Sequence, residues 1–311
     1  MKVLNLVTNE DSRFFEQQVK ALETVGVEST TISVPGSRNY DDGETDGRSP
    51  FDYLRLFAPA LRHSFGDYDL IHANYGLTAP PAVLQPNLPV VISLWGTDLM
   101  GEYGWLSKAC AAHADAVVVM SDEMAAELDR PCDVIPHGID LDRFTPQPTA
   151  DARRDLEWEE DAHHVLFPYP PERGVKNYGR AARIVEIVSQ RFDDPVRLQT
   201  VTGVPHKRMP TYMNAADALL LTSNREGSPN AVKEALACNL PVVSTDVGDV
   251  RERLEHVEPS AVRTTEDGLA DALEDVLRRG ERSNGRVAAR EISVEHTRDR
   301  LHSVYRRVVE D

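Results

Sequence analysis

Residues 222–249 read TSNREGSPNAVKEALACNLPVVSTDVGD and combine a polar loop, a helix and a strand. The loop follows a short apolar run, which is typical of a buried parallel strand. Ser228 is a good N-cap, Pro229 suits the first helical position, and Asn239 suits a left-handed residue after the last turn. The pattern therefore predicts a helix over residues 229–238 that joins two strands of a parallel sheet.

The start of this helix has the features of an anion site. The backbone N–H groups of Asn230 and Ala231 have no partner within a helix, and they lie beside Gly227 at the positive end of the helix dipole. Glu226 and Glu234 flank the same turn and would repel a phosphate unless they contact hydroxyl groups of the same ligand. A nucleoside diphosphate sugar carries both kinds of group, so the segment favours such a donor.

The segment EGSPNAVKEALACNLPVVSTDVGD resembles the donor motif of the retaining glycosyltransferases of family four, also called glycosyl transferases group 1, which have the GT-B fold. The resemblance implies an α/β protein with two Rossmann-like parallel-sheet domains that face a central cleft. It assigns the donor sugar to Glu226 and the ribose hydroxyls to Glu234. It also assigns the diphosphate to the backbone of Gly227, Ser228, Pro229 and Asn230. The alternative is an amphipathic helix whose glutamates are merely solvated.

A basic pair follows the first strand of the second half, in the sequence PERGVKN. Negative charge grows on a diphosphate leaving group as the glycosidic bond breaks, and fixed cations stabilise it. Arg173 and Lys176 resemble the pair that the family places on the donor phosphates, although their spacing is tighter than usual. Lys176 is therefore the firmer assignment, and two solvated loop cations are the alternative. The nucleobase is expected near Gly203, in a loop after another strand.

Composition limits the class of protein. The chain has 311 residues and a formal net charge of −17, which argues against a broad nucleic-acid surface. Six of the 34 basic residues are lysine, and an acid-rich, lysine-poor surface suits concentrated salt, so a halophilic cytoplasm is a hypothesis. The three cysteines are far apart and predict neither disulfides nor a zinc site. The N-terminus begins with a strand rather than a signal peptide, which also favours the cytoplasm.

Strands alternate with helices along most of the chain, which is typical of parallel sheets covered on both faces. We expect a first, acceptor-side domain over residues 1–145 and a donor domain over residues 146–289. The resemblance implies that the last helix, over residues 290–311, packs back on the first domain. Residues 35–50 are strongly polar and are expected to form a surface loop.

Residues 51–65 have the period of an amphipathic helix. Leu54, Phe57, Leu61 and Phe65, with Ala58, form its apolar stripe. Core packing is the expected role of the stripe. A surface for a membrane or a lipid acceptor is the alternative, which would require these side chains to be exposed.

Ligands of open parallel sheets bind at the carboxyl ends of the strands, and this rule selects residues in the first half of the chain. Asp98 is the catalytic candidate, as a ligand of acceptor or sugar hydroxyls, although an aspartate in a turn is as often a helix cap. Trp95 stands where many members of the family have a histidine. The remaining acceptor or cleft candidates are His72, Asn74, Tyr75, Gly96, Ser121 and His137.

The resemblance implies transfer with retention, in which the donor phosphate takes the acceptor proton and neither a metal nor a cofactor is required. The expected partners are a nucleotide-sugar donor, carrying UDP or GDP, and a glycan or lipid-linked acceptor of polysaccharide biosynthesis. Peripheral membrane contact could arise through such an acceptor. Two alternatives stay open: a nucleotide-sugar epimerase or hydrolase on the same fold, and a donor-binding module without catalysis.

Overall fold

The chain forms two compact units. A computed structural model describes residues 1–35 and 50–310. Unit 1 comprises Met1–Gly138 and Val294–Asp311, and unit 2 comprises Ile139–Ser293. The loop predicted over residues 35–50 lies almost entirely outside the described residues.

Unit 1 contains a six-stranded parallel sheet in the order β2-β1-β3-β4-β5-β6. The inner strands β3, β4 and β5 are buried along their whole length, as expected for apolar runs that helices cover on both faces. The strands are β1 (Lys2–Val7), β2 (Glu28–Ser33), β3 (Leu70–Ala73), β4 (Val90–Ser93), β5 (Ala116–Val119) and β6 (Asp133–Val134).

Short helices connect these strands, as the right-handed crossovers of a parallel sheet require. A 3₁₀ turn over Gly76–Thr78 precedes one of them. The helices are α1 (Arg13–Glu23), α2 (Pro50–Leu54), α3 (Phe57–His63), α4 (Ala79–Leu84), α5 (Thr97–Met100), α6 (Gly104–Ala111) and α7 (Asp122–Ala126).

The single helix predicted over residues 51–65 is wrong. The chain forms α2 and α3 instead, and the interruption between them changes the face that is buried. Leu56 and Ala60 are buried, whereas three members of the predicted core stripe, Leu54, Leu61 and Phe65, are 56%, 47% and 72% exposed. The stripe is therefore a surface feature.

Unit 2 contains a five-stranded parallel sheet in the order β11-β10-β9-β7-β8. The central strand β9 is fully buried and leads directly into the loop that opens the motif of residues 222–249. The strands are β7 (His163–Phe167), β8 (Val196–Thr200), β9 (Ala218–Leu221), β10 (Val242–Ser244) and β11 (Ala261–Val262).

The helices of unit 2 include α11, the helix predicted from the motif. It spans Asn230–Ala237, and Asn239 has a φ of +56°, which confirms the predicted left-handed residue. The helices are α8 (Thr149–Leu156), α9 (Tyr178–Ser189), α10 (Met209–Ala215), α11 (Asn230–Ala237), α12 (Val250–Leu254), α13 (Glu266–Arg279) and α14 (Arg286–Ala289).

The final helix, α15 (Val294–Glu310), belongs to unit 1, where Leu301, Val304 and Tyr305 join the core. It begins later than predicted because Arg290–Ile292 forms a 3₁₀ turn. No helix within residues 1–35 and 50–310 is long and apolar enough to cross a membrane.

The change from unit 1 to unit 2 comes a few residues before the predicted boundary at 145. Ile139 forms a β-bridge with Ser293, so the chain enters and leaves unit 2 side by side. Phe144 is 1% exposed and lies in the core of unit 2. A residue so deeply buried cannot belong to a connecting segment, which places the change of unit at Gly138.

Candidate functional site

The residues that resemble a donor motif come together in unit 2. We call residues 227–230 the donor turn. Pro229 is the residue before α11 and provides no side-chain cap. The predicted cap, Ser228, instead donates its hydroxyl hydrogen to Asp249 Oδ2 over 2.7 Å. Within the described residues, no side chain bonds to the first-turn amides of Asn230 and Ala231, so they can receive an anion.

The segment after β10 fixes the donor turn from behind. Gly248 has a φ of +54°, and a Cβ atom at this position would lie 2.2 Å from the carbonyl oxygen of Gly227. Only glycine permits this approach. Asp249 donates its backbone N–H to the same carbonyl over 3.3 Å, and Arg253 Nε donates to Asp249 Oδ2 over 3.0 Å. The donor turn is thus held by backbone and side-chain contacts from residues about twenty positions away.

Lys176 and Glu226 form an ion pair on the loop side of the donor turn. Their side chains are 6% and 13% exposed, and Lys176 Nζ donates to Glu226 Oε1. Ser223 Oγ donates to the same oxygen over 2.6 Å. Burial lowers the pKa of Lys176, and the neighbouring Glu226 carboxylate opposes this shift. Because the ammonium group of Lys176 is shielded from water, it would interact strongly with negative charge that develops on a phosphate at the donor turn.

The loop that carries Lys176 is joined to the loop that carries Glu226. Asn224 N donates to Val175 O over 2.9 Å, and Thr222 Oγ1 donates to Lys176 O over 3.0 Å. The Lys176 ammonium group also lies 3.9 Å from the centre of the Tyr169 ring. Since both loops follow neighbouring strands of the sheet, β7 and β9, these contacts set the position of the ion pair relative to the donor turn.

Glu234 lies on the second turn of α11 and is 6% exposed. His206 Nε2 is 2.7 Å from Glu234 Oε1. The His206 ring is in turn 5.3 Å from the ring of Phe144, centre to centre. The imidazole therefore fixes the orientation of the Glu234 carboxylate beside the start of α11.

Two donor candidates are more peripheral. Arg173 is exposed, and it forms no ion pair with the residues that the structure describes. Gly203 has a φ of +65° and open space around it, so a glycine suits this loop for its backbone conformation. Both lie after strands of the unit 2 sheet, at the edge that also bears the donor turn.

In unit 1 the structure corrects two of the predicted cleft residues. His72 is fully buried, with Nδ1 2.6 Å from the Tyr305 hydroxyl and Nε2 2.7 Å from Ser93 Oγ. Burial lowers the pKa of His72 to about 3. Asn74 is also fully buried and donates to Asn5 Oδ1 over 2.9 Å. Both side chains satisfy their polar atoms inside the protein and do not face a ligand.

Asp98 is a positioning residue rather than a catalytic one. Its carboxylate is 1% exposed and accepts backbone N–H bonds from Gly76, Trp95 and Gly96 at distances between 2.8 and 3.1 Å. Burial raises its pKa, and these backbone bonds oppose the shift. Gly96 has a φ of +130° at the start of α5. Because its oxygens are occupied, Asp98 shapes the loop after β4 and does not bind hydroxyls of a substrate.

Three further candidates have separate roles. Ser121 is the N-cap of α7, since its Oγ accepts from Met124 N over 3.3 Å. His137 lies between two aromatic rings, stacked on Phe14 and edge-on to Trp95, each with ring centres 4.8 Å apart. Tyr75 lies at the wall of a groove, and its hydroxyl is 3.0 Å from Thr97 Oγ1.

Comparison with known proteins agrees with this geometry. A model described as Glycosyltransferase Family 4 matches residues 5–143, and a model described as Glycosyl transferases group 1 matches residues 179–279. Together they cover most of both units. The chain belongs to the glycosyltransferases of group 1 and family 4.

Individual relatives are distant. This glycosyltransferase is 28% identical to the lipopolysaccharide core biosynthesis mannosyltransferase LpsB of Rhizobium meliloti, over 58% of this chain and 60% of that protein. The matched part is between 54% and 73% of the length of the curated relatives.

Solved structures show the same fold. Sucrose-phosphate synthase from Thermosynechococcus elongatus has a TM-score of 0.78 at 18% identity, with 99% of each chain covered. The HepE protein of Anabaena in complex with UDP has a TM-score of 0.66 at 15% identity, with 98% of this chain and 99% of that chain covered. The glycosyltransferase therefore has the GT-B fold, with two parallel-sheet α/β domains.

The candidate site in unit 2 contains residues that the sequence alone did not indicate. His206, Asp249 and Arg253 hold Glu234 and the donor turn, yet each lies in a different element from the group that it holds. Gly248, four residues after the end of β10, was the available signal for Asp249, because a glycine near a strand end indicates a close backbone approach. His206 had no comparable signal.

Proposed function

We propose that this protein transfers a sugar from a nucleoside diphosphate sugar, bound by unit 2, to a hydroxyl group of an acceptor. The observation that carries the proposal is the arrangement around the donor turn. Open helix amides lie between two restrained carboxylates, Glu226 and Glu234, and a buried lysine pairs with the first of them. This set matches a ligand with a diphosphate between two hydroxylated rings.

In the proposed complex, the amides of the donor turn bind the diphosphate. Glu234 accepts hydrogen bonds from the ribose, and Glu226 contacts the transferred sugar. Gly203 lies in the loop that would receive the base. UDP and GDP donors both suit this set, and the solved complexes of HepE with UDP and with UDP-glucose favour UDP as the first nucleotide to test.

The proposed chemistry is transfer with retention. The acceptor oxygen bonds to the anomeric carbon on the face from which the diphosphate departs, the bond from that carbon to the phosphate oxygen breaks, and the acceptor proton passes to the departing phosphate. Lys176 and Arg173 stabilise the charge that accumulates on the leaving group, and this can proceed without a metal ion. Asp98 is not assigned a step, because its oxygens are occupied by backbone amides.

For the acceptor, we propose a glycan or lipid-linked glycan of polysaccharide biosynthesis, with peripheral membrane contact through the acceptor. The proposed compartment is the cytoplasm, which the three free cysteines suit. The net charge of −17 further suggests a high-salt cytoplasm. Unfolding curves at molar and low-millimolar salt test this last point, and equal stability in both would contradict it.

Product analysis tests the function. The purified protein is first screened by thermal shift against UDP, GDP and ADP and their sugars, because a bound ligand raises the apparent melting temperature. The donor that stabilises is then incubated with and without an acceptor mixture. Transfer predicts that donor is consumed in the presence of acceptor and that the new bond keeps the anomeric configuration. Consumption without acceptor would indicate an epimerase or hydrolase, and binding without consumption would indicate a binding module.

A further inference from the structure

A tyrosine in the loop after β7 lies against the buried lysine of the candidate site. The ammonium group of Lys176 is 3.9 Å from the centre of the Tyr169 ring. The face of an aromatic ring carries partial negative charge and attracts a cation, most strongly where water is excluded. Lys176 is 5% exposed, so the ring forms a substantial part of its surroundings. Tyr169 therefore belongs to the site, although the sequence did not indicate it.

The backbone around Tyr169 is restricted by proline on both sides. The sequence of this loop begins Phe167-Pro168-Tyr169-Pro170-Pro171. A proline ring fixes its own φ, and a residue before proline is confined to extended conformations. Tyr169 N also donates to Phe167 O over 2.9 Å. The side chain of Tyr169 thus leaves a backbone that has little conformational freedom.

The ring of Tyr169 is fixed by contacts with the core of unit 2. Its centre is 5.7 Å from that of the Phe167 ring, with the two rings edge to face. Phe167 is fully buried at the end of β7, and Tyr169 packs against both hydrophobic clusters of unit 2. Because the ring is already held in place, Lys176 meets a preformed surface and little further entropy is lost.

Tyr169 and Glu226 restrain the ammonium group of Lys176 in different ways. Glu226 accepts a hydrogen bond from it, which is the one hydrogen bond of Nζ within the described residues, whereas the Tyr169 ring attracts it without accepting an N–H. An ammonium group has three N–H donors, so donors remain for a further anion. A second carboxylate in place of the ring would take up a donor and repel a phosphate. The ring stabilises the buried charge without either effect.

The hydroxyl group of Tyr169 does not hold the ring. It has no hydrogen-bond partner in the part of the chain that the structure describes. Burial raises the pKa of Tyr169 well above its usual value, and the Glu226 and Glu234 carboxylates raise it further, so the hydroxyl stays neutral. The attraction for Lys176 accordingly depends on the ring face, which phenylalanine would also provide.

We propose that Tyr169 is a positioning residue, whose ring holds the ammonium group of Lys176 where it can bind the terminal phosphate of a nucleoside diphosphate. The inference rests on the proposed function, in which this phosphate belongs to the leaving group. It deepens that function, because it explains how a lysine that pairs with Glu226 stays available to a phosphate. The free diphosphate carries more charge than the donor, so it gains most from the contact.

Calorimetric titration of the full chain with UDP and UMP tests this role. The two nucleotides differ by the terminal phosphate, so the ratio of their affinities measures its contribution. The parent should bind UDP about tenfold or more tightly than UMP, the usual effect of a hydrogen bond between charged groups. Tyr169→Leu removes the ring face, and it should lower this ratio about fivefold or more while UMP affinity stays within about twofold. GDP and GMP replace this pair if the thermal-shift screen selects guanosine.

Further variants separate the ring face from the hydroxyl and from packing. Tyr169→Phe keeps the ring, so its ratio should stay within about twofold of the parent. Tyr178→Leu is the matched control, because the Tyr178 ring also lies 5.7 Å from the Phe167 ring but has no contact with Lys176 in the described part of the chain. Its ratio should match the parent even if its melting temperature falls. Tyr169→Met, whose flexible side chain fills the same space, replaces Tyr169→Leu if that variant does not fold.

A double-mutant cycle shows whether Tyr169 acts through Lys176. Lys176→Met alone should lower the ratio, and the addition of Tyr169→Leu should lower it by less than about twofold more. An undiminished effect of Tyr169→Leu in the Lys176→Met background overturns the proposal.

Other outcomes are equally decisive. Equal losses for UDP and UMP in Tyr169→Leu would mean that the ring only supports the fold, and the same loss of ratio in Tyr169→Phe would assign the effect to the hydroxyl. Either result overturns the proposal. Nucleotide binding by the parent with an unchanged ratio in Tyr169→Leu removes this inference alone. A parent that binds neither UDP nor GDP removes the proposed function, and the inference with it.

Discussion

His206 Nε2 lies 2.7 Å from Glu234 Oε1, so the carboxylate on the second turn of α11 is oriented by a ring from a different loop of unit 2. On the other side of the donor turn, Lys176 does the same for Glu226. Each carboxylate is thus held by a side chain that the motif of residues 222–249 does not contain. In the proposed complex, the motif of residues 222–249 would supply the groups that contact the donor, and the loops after β7 and β8 supply the side chains that position them.

Replacing Glu234 with alanine should weaken nucleotide binding. The proposed ribose contact is a hydrogen bond to a charged group, so the free energy of binding should fall by about 1–3 kcal/mol. Calorimetric titration of Glu234→Ala with the stabilising nucleotide measures this loss. Glu186→Ala is the control, because that side chain is exposed on α9, and its affinity should match the parent. Equal affinity of both variants would remove Glu234 from the donor site.

Replacing Lys176 with methionine should lower turnover more than donor affinity. If the ammonium group stabilises charge that appears as the diphosphate departs, its loss should reduce kcat about 10²- to 10³-fold, the effect of removing one preorganised donor. Steady-state kinetics of Lys176→Met, with kcat and KM determined separately, provide the measurement.

The control for Lys176 is Lys207→Met, since Lys207 is an exposed lysine of the same unit. A rise in KM at unchanged kcat would show that Lys176 contributes binding alone. Since Lys176→Met leaves the Glu226 carboxylate partly buried without its cation, unfolding in urea should also show a loss of stability. The double variant Lys176→Met with Glu226→Gln should recover part of that loss.

Local signals predicted the local structure well. Helix α11 and the left-handed Asn239 followed from the residues at the ends of one short segment. Ser228 was wrong as a cap because Asp249 competes for its hydroxyl, and that residue lies 21 positions further on. The sequence of one segment cannot indicate that a residue from another segment competes for the same hydrogen bond.

Residues selected at strand ends had mixed outcomes for the same reason. The rule found Tyr75, which lies at the wall of a groove, but it also selected His72. The ring of His72 is enclosed by Tyr305, which is 233 positions away on α15. For residues 51–65, the helical period was present, but it did not indicate the interruption between α2 and α3 that turns Leu54 to the surface.

Replacing Gly248 with alanine should destabilise unit 2 and abolish nucleotide binding. The new Cβ atom would lie 2.2 Å from the Gly227 carbonyl oxygen, so the donor turn must move. Gly280→Ala is a matched control, with a similar φ of +62° and no atom within 4 Å of the added Cβ. Gly280→Ala should lose about 1–2 kcal/mol of unfolding free energy, which is the cost of a left-handed alanine alone. Its affinity for the nucleotide should be normal. Similar losses in both variants, measured by urea unfolding and calorimetry, would contradict the close approach.

Replacing His72 with glutamine should flatten the pH dependence of stability. Burial lowers the pKa of His72 to about 3, whereas an unfolded histidine has a pKa of about 6.5. Below pH 6.5, His72 therefore binds a proton in the unfolded chain but stays neutral in the folded chain. The free energy of unfolding consequently falls as the pH falls. Between pH 7.5 and pH 5, this residue should cost the parent about 2 kcal/mol of unfolding free energy.

Urea unfolding of the parent, His72→Gln and His113→Gln at both pH values measures this contribution. His113 is exposed and serves as the control, so its variant should follow the parent profile. His72→Gln should lose less stability on acidification, by the same 2 kcal/mol or so, even if it starts lower at pH 7.5 because the bonds to Tyr305 and Ser93 are altered. Parallel profiles for all three proteins would mean that His72 accepts its proton in the folded state.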